Sequence, residues 1–214
     1  MDAPTVRPAR LSDIPLLADL AKRTWADAFG GGVSAEDAAT ALEEERSEDY
    51  FAEAIREKTI LVTEADGALL AYAQFGDVEI AGVEVQPGDQ GLQRLYVETV
   101  LHGRGLGRQL MEAALQHPRL AKARRIFLQV WAENARAVAL YESLGFEKVG
   151  STTFAIGSEL VQDLVMVLDM TKALPADPTG ISGSAISTPP TRNEGAFLTR
   201  SVPSRGIENR DKRA

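Results

Sequence analysis

GLQRLYVETVLHGRGLGRQLMEAAL, residues Gly91–Leu115, is the stretch whose reading decides the fold. Its first part, Leu92–Val97, is rich in β-branched and aromatic residues and reads as a strand. From Gly105 on, Leu106, Leu110, Ala113 and Ala114 recur at helical spacing. Between the two lies HGRGLG, with Gly103, Gly105 and Gly107 at alternate positions. Glycines at a strand-to-helix turn let successive backbone N–H groups converge on one small volume. The helix N-terminus adds partial positive charge there. Strand, turn and helix together suit a phosphate or pyrophosphate, although a glycine-rich turn is by itself often only a turn. The P-loop pattern G-x-x-x-x-G-K-[ST] is absent, and the three glycines give G-x-G-x-G, not the dinucleotide pattern G-x-G-x-x-G.

Working outward, the chain has 214 residues, 44% of them hydrophobic, enough for one ordinary domain and a tail. There is no cysteine, which excludes disulfides, a thiolate nucleophile and cysteine-ligated metals. His102 and His117 are the only histidines, so a histidine-rich metal site is excluded and no metal is expected. The N-terminus lacks an apolar leader core, and no run reaches the ~18 apolar residues of a membrane span. The expectation is a cytoplasmic protein that engages no membrane. Net charge is −8; after residue 172 there are six Lys/Arg and four Asp/Glu, so residues 1–172 carry 17 basic and 27 acidic residues. An acidic body disfavours nucleic acid and mildly favours cationic small molecules.

Towards the N-terminus, Thr5–Arg7 with Pro8 reads as a short strand. Ser12 or Asp13 then caps a helix with Pro15 in its first turn and Leu16, Leu17, Leu20, Ala21 and Trp25 on its apolar side. Gly30-Gly31-Gly32 ends it, a link costly to order. A second helical region is expected from Ser34 to about Lys58. Thr59–Glu64 and Leu69–Gly76 flank Asp66-Gly67, a hairpin turn signal. Beyond the opening stretch, Pro118 stops the helix. Arg125–Trp131 is a strand, Asn134–Leu144 a helix stopped by Gly145, and Phe146–Val149 and Leu164–Met170 are the last strands. The fold class is mixed α/β: a central, mostly antiparallel sheet of about six to seven strands with a parallel pair around the glycine-turn helix, flanked by about four helices. Residues 1–172 form one domain. Residues 173–214 hold five of the ten prolines and no sustained periodicity, and read as a disordered tail.

HGRGLG followed by NARAVALYESLGF (Asn134–Phe146) resembles the GNAT superfamily of N-acetyltransferases over roughly residues 4–171. Its acetyl-CoA signature is Q/R-x-x-G-x-G/A; here His102 stands at the first position. The resemblance implies a splayed parallel pair, Leu92–Val97 and Arg125–Trp131, with acetyl-CoA as cosubstrate lying in the gap. Main-chain groups of Leu95, Tyr96 and Val97 would pair with the pantetheine arm. The pyrophosphate would rest on the loop His102, Gly103, Arg104, Gly105, Leu106, Gly107 and Arg108. Asn134 and Tyr141, seven residues apart, share one helix stripe. Asn134 would hold the cofactor arm or act only as a helix cap. Tyr141 would protonate the leaving thiolate or be a core aromatic. Glu98 is the first candidate for general base, followed by Glu79, Glu84 and Tyr96. An N–H near Val97 would face the developing oxyanion. Together with RLYV, LQVWAEN and TWADAF, the segment from Gly150 to Met166 is similar to PaiA-type spermidine/spermine acetyltransferases. The implied reaction is direct acetyl transfer to a primary amine, a polyamine or another small molecule, and a homodimer is allowed. A silent acetyl-CoA-binding sensor and a protein N-terminal or lysine acetyltransferase stay open as alternatives.

Overall fold

The computed structural model describes residues 3–29, 46–156 and 159–172. Seven strands form one sheet in the order β1-β2-β3-β4-β5-β7-β6. They are β1 Thr5–Pro8, β2 Thr59–Ala65, β3 Ala68–Gly76, β4 Gln90–Val97, β5 Arg125–Trp131, β6 Glu147–Ile156 and β7 Glu159–Asp169. All neighbours are antiparallel except β4 and β5. The described helices are α1 Ile14–Phe29, α2 Glu48–Glu57, α3 Leu106–Gln116, α4 Pro118–Ala121 and α5 Ala135–Ser143.

Side-chain alternation along the strands assigns the two layers. Ile60, Val62, Tyr72 and Tyr96 pack with Leu17, Leu20 and Phe51, placing α1 and α2 on one face. Leu61, Ala71, Ala73, Leu95, Val97 and Leu128 pack with Leu110, Met111, Ala137 and Tyr141, placing α3 and α5 on the other.

Several elements differ from the sequence expectation. Asp13 does cap, but by accepting from the N–H of Arg10 at 2.7 Å inside a short 3-10 turn, and it also binds Arg7. Pro118 does more than stop α3: it opens α4, with His117 Nδ1 accepting from the N–H of Arg119 at 3.3 Å. The last two strands are longer than predicted, because β6 and β7 pair with each other from Glu147↔Val167 to Ile156↔Glu159. Their small and polar residues carry little apolar signal of their own. Of the second helical region, Glu48–Glu57 is helical with Ser47 as its cap; the glycine link and the residues up to 45, like the tail after 172, lie outside the described residues.

Two devices separate β4 from β5. The β3–β4 register runs Gln74↔Arg94, then Phe75↔Leu92, so Gln93 is an extra residue in β4. Such a bulge bends its strand and raises the local twist. The parallel ladder stops at Leu92↔Leu128, whereas β4 continues along β3 to Val97 and β5 continues along β7 to Trp131. A wedge-shaped gap opens between them. At the closed end, a side chain on Gly91 would meet the carbonyl oxygen of Asp77 at 2.8 Å, so only glycine fits there.

The closed end is anchored by Asp89, whose side chain is fully buried and accepts from Arg125 Nε at 3.0 Å, Arg125 Nη2 at 2.6 Å and the N–H of Gln86 at 2.8 Å. Hydrogen bonding from Arg125 holds the Asp89 carboxyl below the usual carboxylate range. Its stabilising contribution is complete above the unfolded value of ~3.9 and is lost as pH falls through the lower folded value. Asp89→Asn should therefore cost about 2 kcal/mol at neutral pH, since Arg125 keeps some solvent contact. Thermal unfolding at pH 7 and pH 3 checks this; the variant's deficit should shrink at the lower pH.

Candidate active site

The open end of the gap exposes main chain. The N–H of Glu98 donates to the carbonyl of Leu70 at 2.9 Å. In the constant register of this part of the ladder, Tyr96↔Tyr72 is then a hydrogen-bonded pair, while Val97↔Ala71 and Leu95↔Ala73 are not. The N–H and C=O groups of Leu95 and Val97 therefore point away from β3, into the gap. Those of Tyr96 point to β3, so any contact Tyr96 makes across the gap falls to its side chain.

After Val97 the chain makes a short 3-10 turn, Thr99–Leu101, and enters α3 through the glycine loop. Gly103 and Gly105 adopt left-handed conformations with φ of 76° and 82°, and a Cβ on either would meet nothing within 4 Å. Glycine is needed there for its backbone angles, and the space beside it is open. The first intrahelical bond among the described residues runs from Gln109 N–H to Gly105 C=O at 3.0 Å. The N–H groups of Leu106, Gly107 and Arg108 precede that ladder, as at any helix start. They face a cleft of about 350 Å³ lined by Val97, His102, Gly105, Gly107, Arg108 and Arg136 among others.

His102 is half-buried, and its Nε2 lies 3.0 Å from the carbonyl oxygen of Val97. Burial pushes the imidazole below its ordinary range, so the neutral ring with a proton on Nε2 suits a donor to that carbonyl. Its contact is thus to the end of β4. Arg104 is exposed. Arg108 donates to Ser143 Oγ at 2.6 Å and pairs with Glu112 at 3.6 Å, tying α3 to α5 at the mouth of the cleft.

Asn134 caps α5, its side-chain oxygen accepting from the N–H of Ala137 at 3.1 Å. That oxygen is engaged in the cap. Tyr141 is fully buried, edge-on to Phe146, and its hydroxyl has no hydrogen-bond partner among the described residues. Burial, with a smaller effect from Tyr96, pushes that hydroxyl above the ordinary tyrosine range, so it keeps its proton at any physiological pH. Glu98 receives Arg23 through both oxygens, at 3.3 and 3.1 Å, and is only partly exposed. Tyr96 is buried and stacked on Tyr72. Glu79 pairs with Lys58 at 2.8 Å, and Glu84 lines a second cleft with Arg125 and Phe127; neither lines the glycine-loop cleft.

The structure thus gathers Val97, His102, Gly103, Gly105, Leu106, Gly107 and Arg108 around one cleft. Sequence reasoning missed Arg136, Leu140 and Ser143, which join them from α5. Their positions within the second motif block were the available signal. Among the described residues no group of three or more His, Asp or Glu is arranged to hold a metal, and no helix is long and apolar enough to cross a membrane. A coenzyme carrying a diphosphate and an amide-bearing arm fits these groups: amides at a helix start, two unladdered strand residues, and a buried orphan hydroxyl.

Comparison with known proteins agrees with this fold. A model of the acetyltransferase (GNAT) family matches residues 21–146. An uncharacterized N-acetyltransferase of Mycobacterium tuberculosis is 30% identical over 162 residues, spanning 75% of this chain and 99% of that protein. The spermine/spermidine N(1)-acetyltransferase of Bacillus subtilis is 29% identical over 100 residues, spanning 46% of this chain and 66% of that protein. Among solved structures, PaiA N-acetyltransferase from Thermoplasma acidophilum in complex with coenzyme A superposes with a TM-score of 0.63 at 18% identity, covering 78% of this chain and 99% of that one.

Proposed function

Because this chain belongs to the acetyltransferase (GNAT) family, we propose that it transfers an acetyl group from acetyl-CoA directly to a primary amine of a small molecule. Acetyl-CoA supplies an activated thioester. The observation that carries the reading is the buried, unpartnered hydroxyl of Tyr141, packed in one cluster with Leu95, Val97, Leu128 and Val130 of the two strands that part. N–H groups of Leu106, Gly107 and Arg108 would seat the diphosphate, and main chain of Leu95 and Val97 would pair with the amide-bearing arm. A gap-facing N–H, of Leu95 or Val97, is suited to donate to the carbonyl oxygen where negative charge gathers. As the amine nitrogen bonds to the acyl carbon and the carbon–sulfur bond breaks, Tyr141 gives its proton to the sulfur. No nucleophilic side chain is required.

The amine must shed a proton. Glu98, next to Val97 and held by Arg23, would take it through water. Glu98→Gln should lower kcat by about tenfold with acetyl-CoA affinity unchanged. Steady-state kinetics with a binding titration checks this, and an unaltered kcat would leave Glu98 only the task of clamping α1 to β4.

The overall reading is tested by measuring thiol release and acetylated product with a panel of amines, polyamines included. Transfer to at least one amine is expected. Tight coenzyme binding with no transfer to any acceptor would favour a silent sensor instead.

A further inference from the structure

Gln129 stands where the sheet forks. The parallel ladder ends at Leu92↔Leu128, so Gln129 is the first residue of β5 beyond it. Ile126, Leu128 and Val130 pack with Tyr141, which puts Phe127, Gln129 and Trp131 on the opposite face. Gln129 is 4% exposed, and its Nε2 donates to Thr152 Oγ1 at 2.7 Å. Its Oε1 is buried with no hydrogen-bond partner among the described residues. A buried amide oxygen left unmatched costs stability, and the transfer chemistry above gives it no task.

A cavity adjoins this side chain. The apolar cluster on that face draws its strand residues from β2, β3 and β4, so α1 and α2 leave the β5, β7 and β6 part to other cover. There a cleft of about 330 Å³ lies between the strands and the connection from β3 to β4. Phe127 precedes Gln129 by two residues, Val165 is its cross-strand partner on β7, and Thr152 is its hydrogen-bond partner. All three line the cleft, together with Val83 and Val149. Arg125 also lines it, but is bound to Asp89 and lies over the Phe127 ring at 4.7 Å. Glu84 is the one carboxylate on the cleft wall among the described residues.

We infer that this second cleft receives the acceptor, a monoamine with an apolar body, and that Gln129 Oε1 accepts one N–H of its nitrogen at the fork. This names the acceptor class and rests on the acetyltransferase reading. The body packs on Phe127, Val149 and Val165. An amide oxygen accepts a hydrogen bond without taking the proton, so the proton lost on attack still leaves through Glu98. Holding one N–H orients the nitrogen lone pair for the acyl carbon. Thr152 acts through Gln129: tying Nε2 sets the direction of the oxygen. A polyamine would place its further ammonium groups against apolar walls, with Arg125 beside the one carboxylate present.

The test uses the full chain with acetyl-CoA, a series of alkyl and arylalkyl monoamines, and spermidine. The best monoamine should exceed spermidine by at least about tenfold in kcat/KM. Gln129→Leu should lower kcat/KM for that monoamine by at least about tenfold, while Gln129→Glu, which keeps an acceptor oxygen, should retain most of it. Thr152→Val should raise KM for the amine, and Thr152→Ser should restore it. Val149→Glu, at an exposed position on the cleft wall, should shift the preference severalfold toward spermidine. Unchanged acetyl-CoA affinity reports that each variant is folded. Spermidine equal to or better than every monoamine, or an unaltered kcat/KM in Gln129→Leu, overturns the inference and leaves the acetyltransferase reading standing. No transfer to any acceptor while acetyl-CoA binds removes both.

Discussion

Tyr141→Phe should lower kcat by about 10²-fold while acetyl-CoA affinity stays within about twofold and the melting temperature does not fall. The three parts have separate causes. The hydroxyl is fully buried without a partner among the described residues, so deleting it removes an unsatisfied polar group and keeps the ring's packing against Phe146. Stability should be equal or higher. A phenol kept protonated by burial acts as an acid only when the thiolate forms, so the loss falls on the chemical step and hardly on ground-state binding. Such a site trades stability for function. Stopped-flow single-turnover rates, a binding titration and a thermal melt together decide it. A variant with a normal rate would leave Tyr141 as a core aromatic.

Gly105→Glu should abolish measurable acetyl-CoA binding, an affinity loss beyond about 100-fold, with the protein still folded. Gly105 has φ of 82° and caps α3, and its Cβ would project into open space beside the cleft. Steric damage to the fold is therefore small. The backbone angle alone costs about 1–2 kcal/mol for a side-chain-bearing residue. The carboxylate adds a negative charge at the helix N-terminus proposed above to seat the diphosphate. Gly105→Ala separates the two effects: it carries the angle penalty without the charge and should lose far less affinity. Intact binding by the glutamate variant, measured by calorimetry, would remove the cradle from the mechanism.

Much of the fold was legible because the decisive signals are local. The β-branched and aromatic residues of Leu92–Val97, the glycines at 103 and 105, and the spacing from Leu106 to Ala114 each state their own geometry. The cap at Asn134 was readable from residue type and position, and the structure shows that oxygen bound to Ala137. What escaped depends on partners distant in sequence. The extra residue at Gln93 is defined only by its ladder to β3, and the length of β6 only by β7. The tie from Arg108 to Ser143 joins positions 35 residues apart.

The interrupted ladder has a mechanical corollary. Three residue pairs, Gln90↔Ile126 to Leu92↔Leu128, are all that stitch the two halves of the sheet at this seam. The aperture beyond them must be propped from below, by the apolar floor that Leu110, Met111 and Ala137 share with residues of both halves. Loosening that floor would alter the width of the opening before it unfolded the protein, so residues that never touch a reactant set the spacing at which one is received.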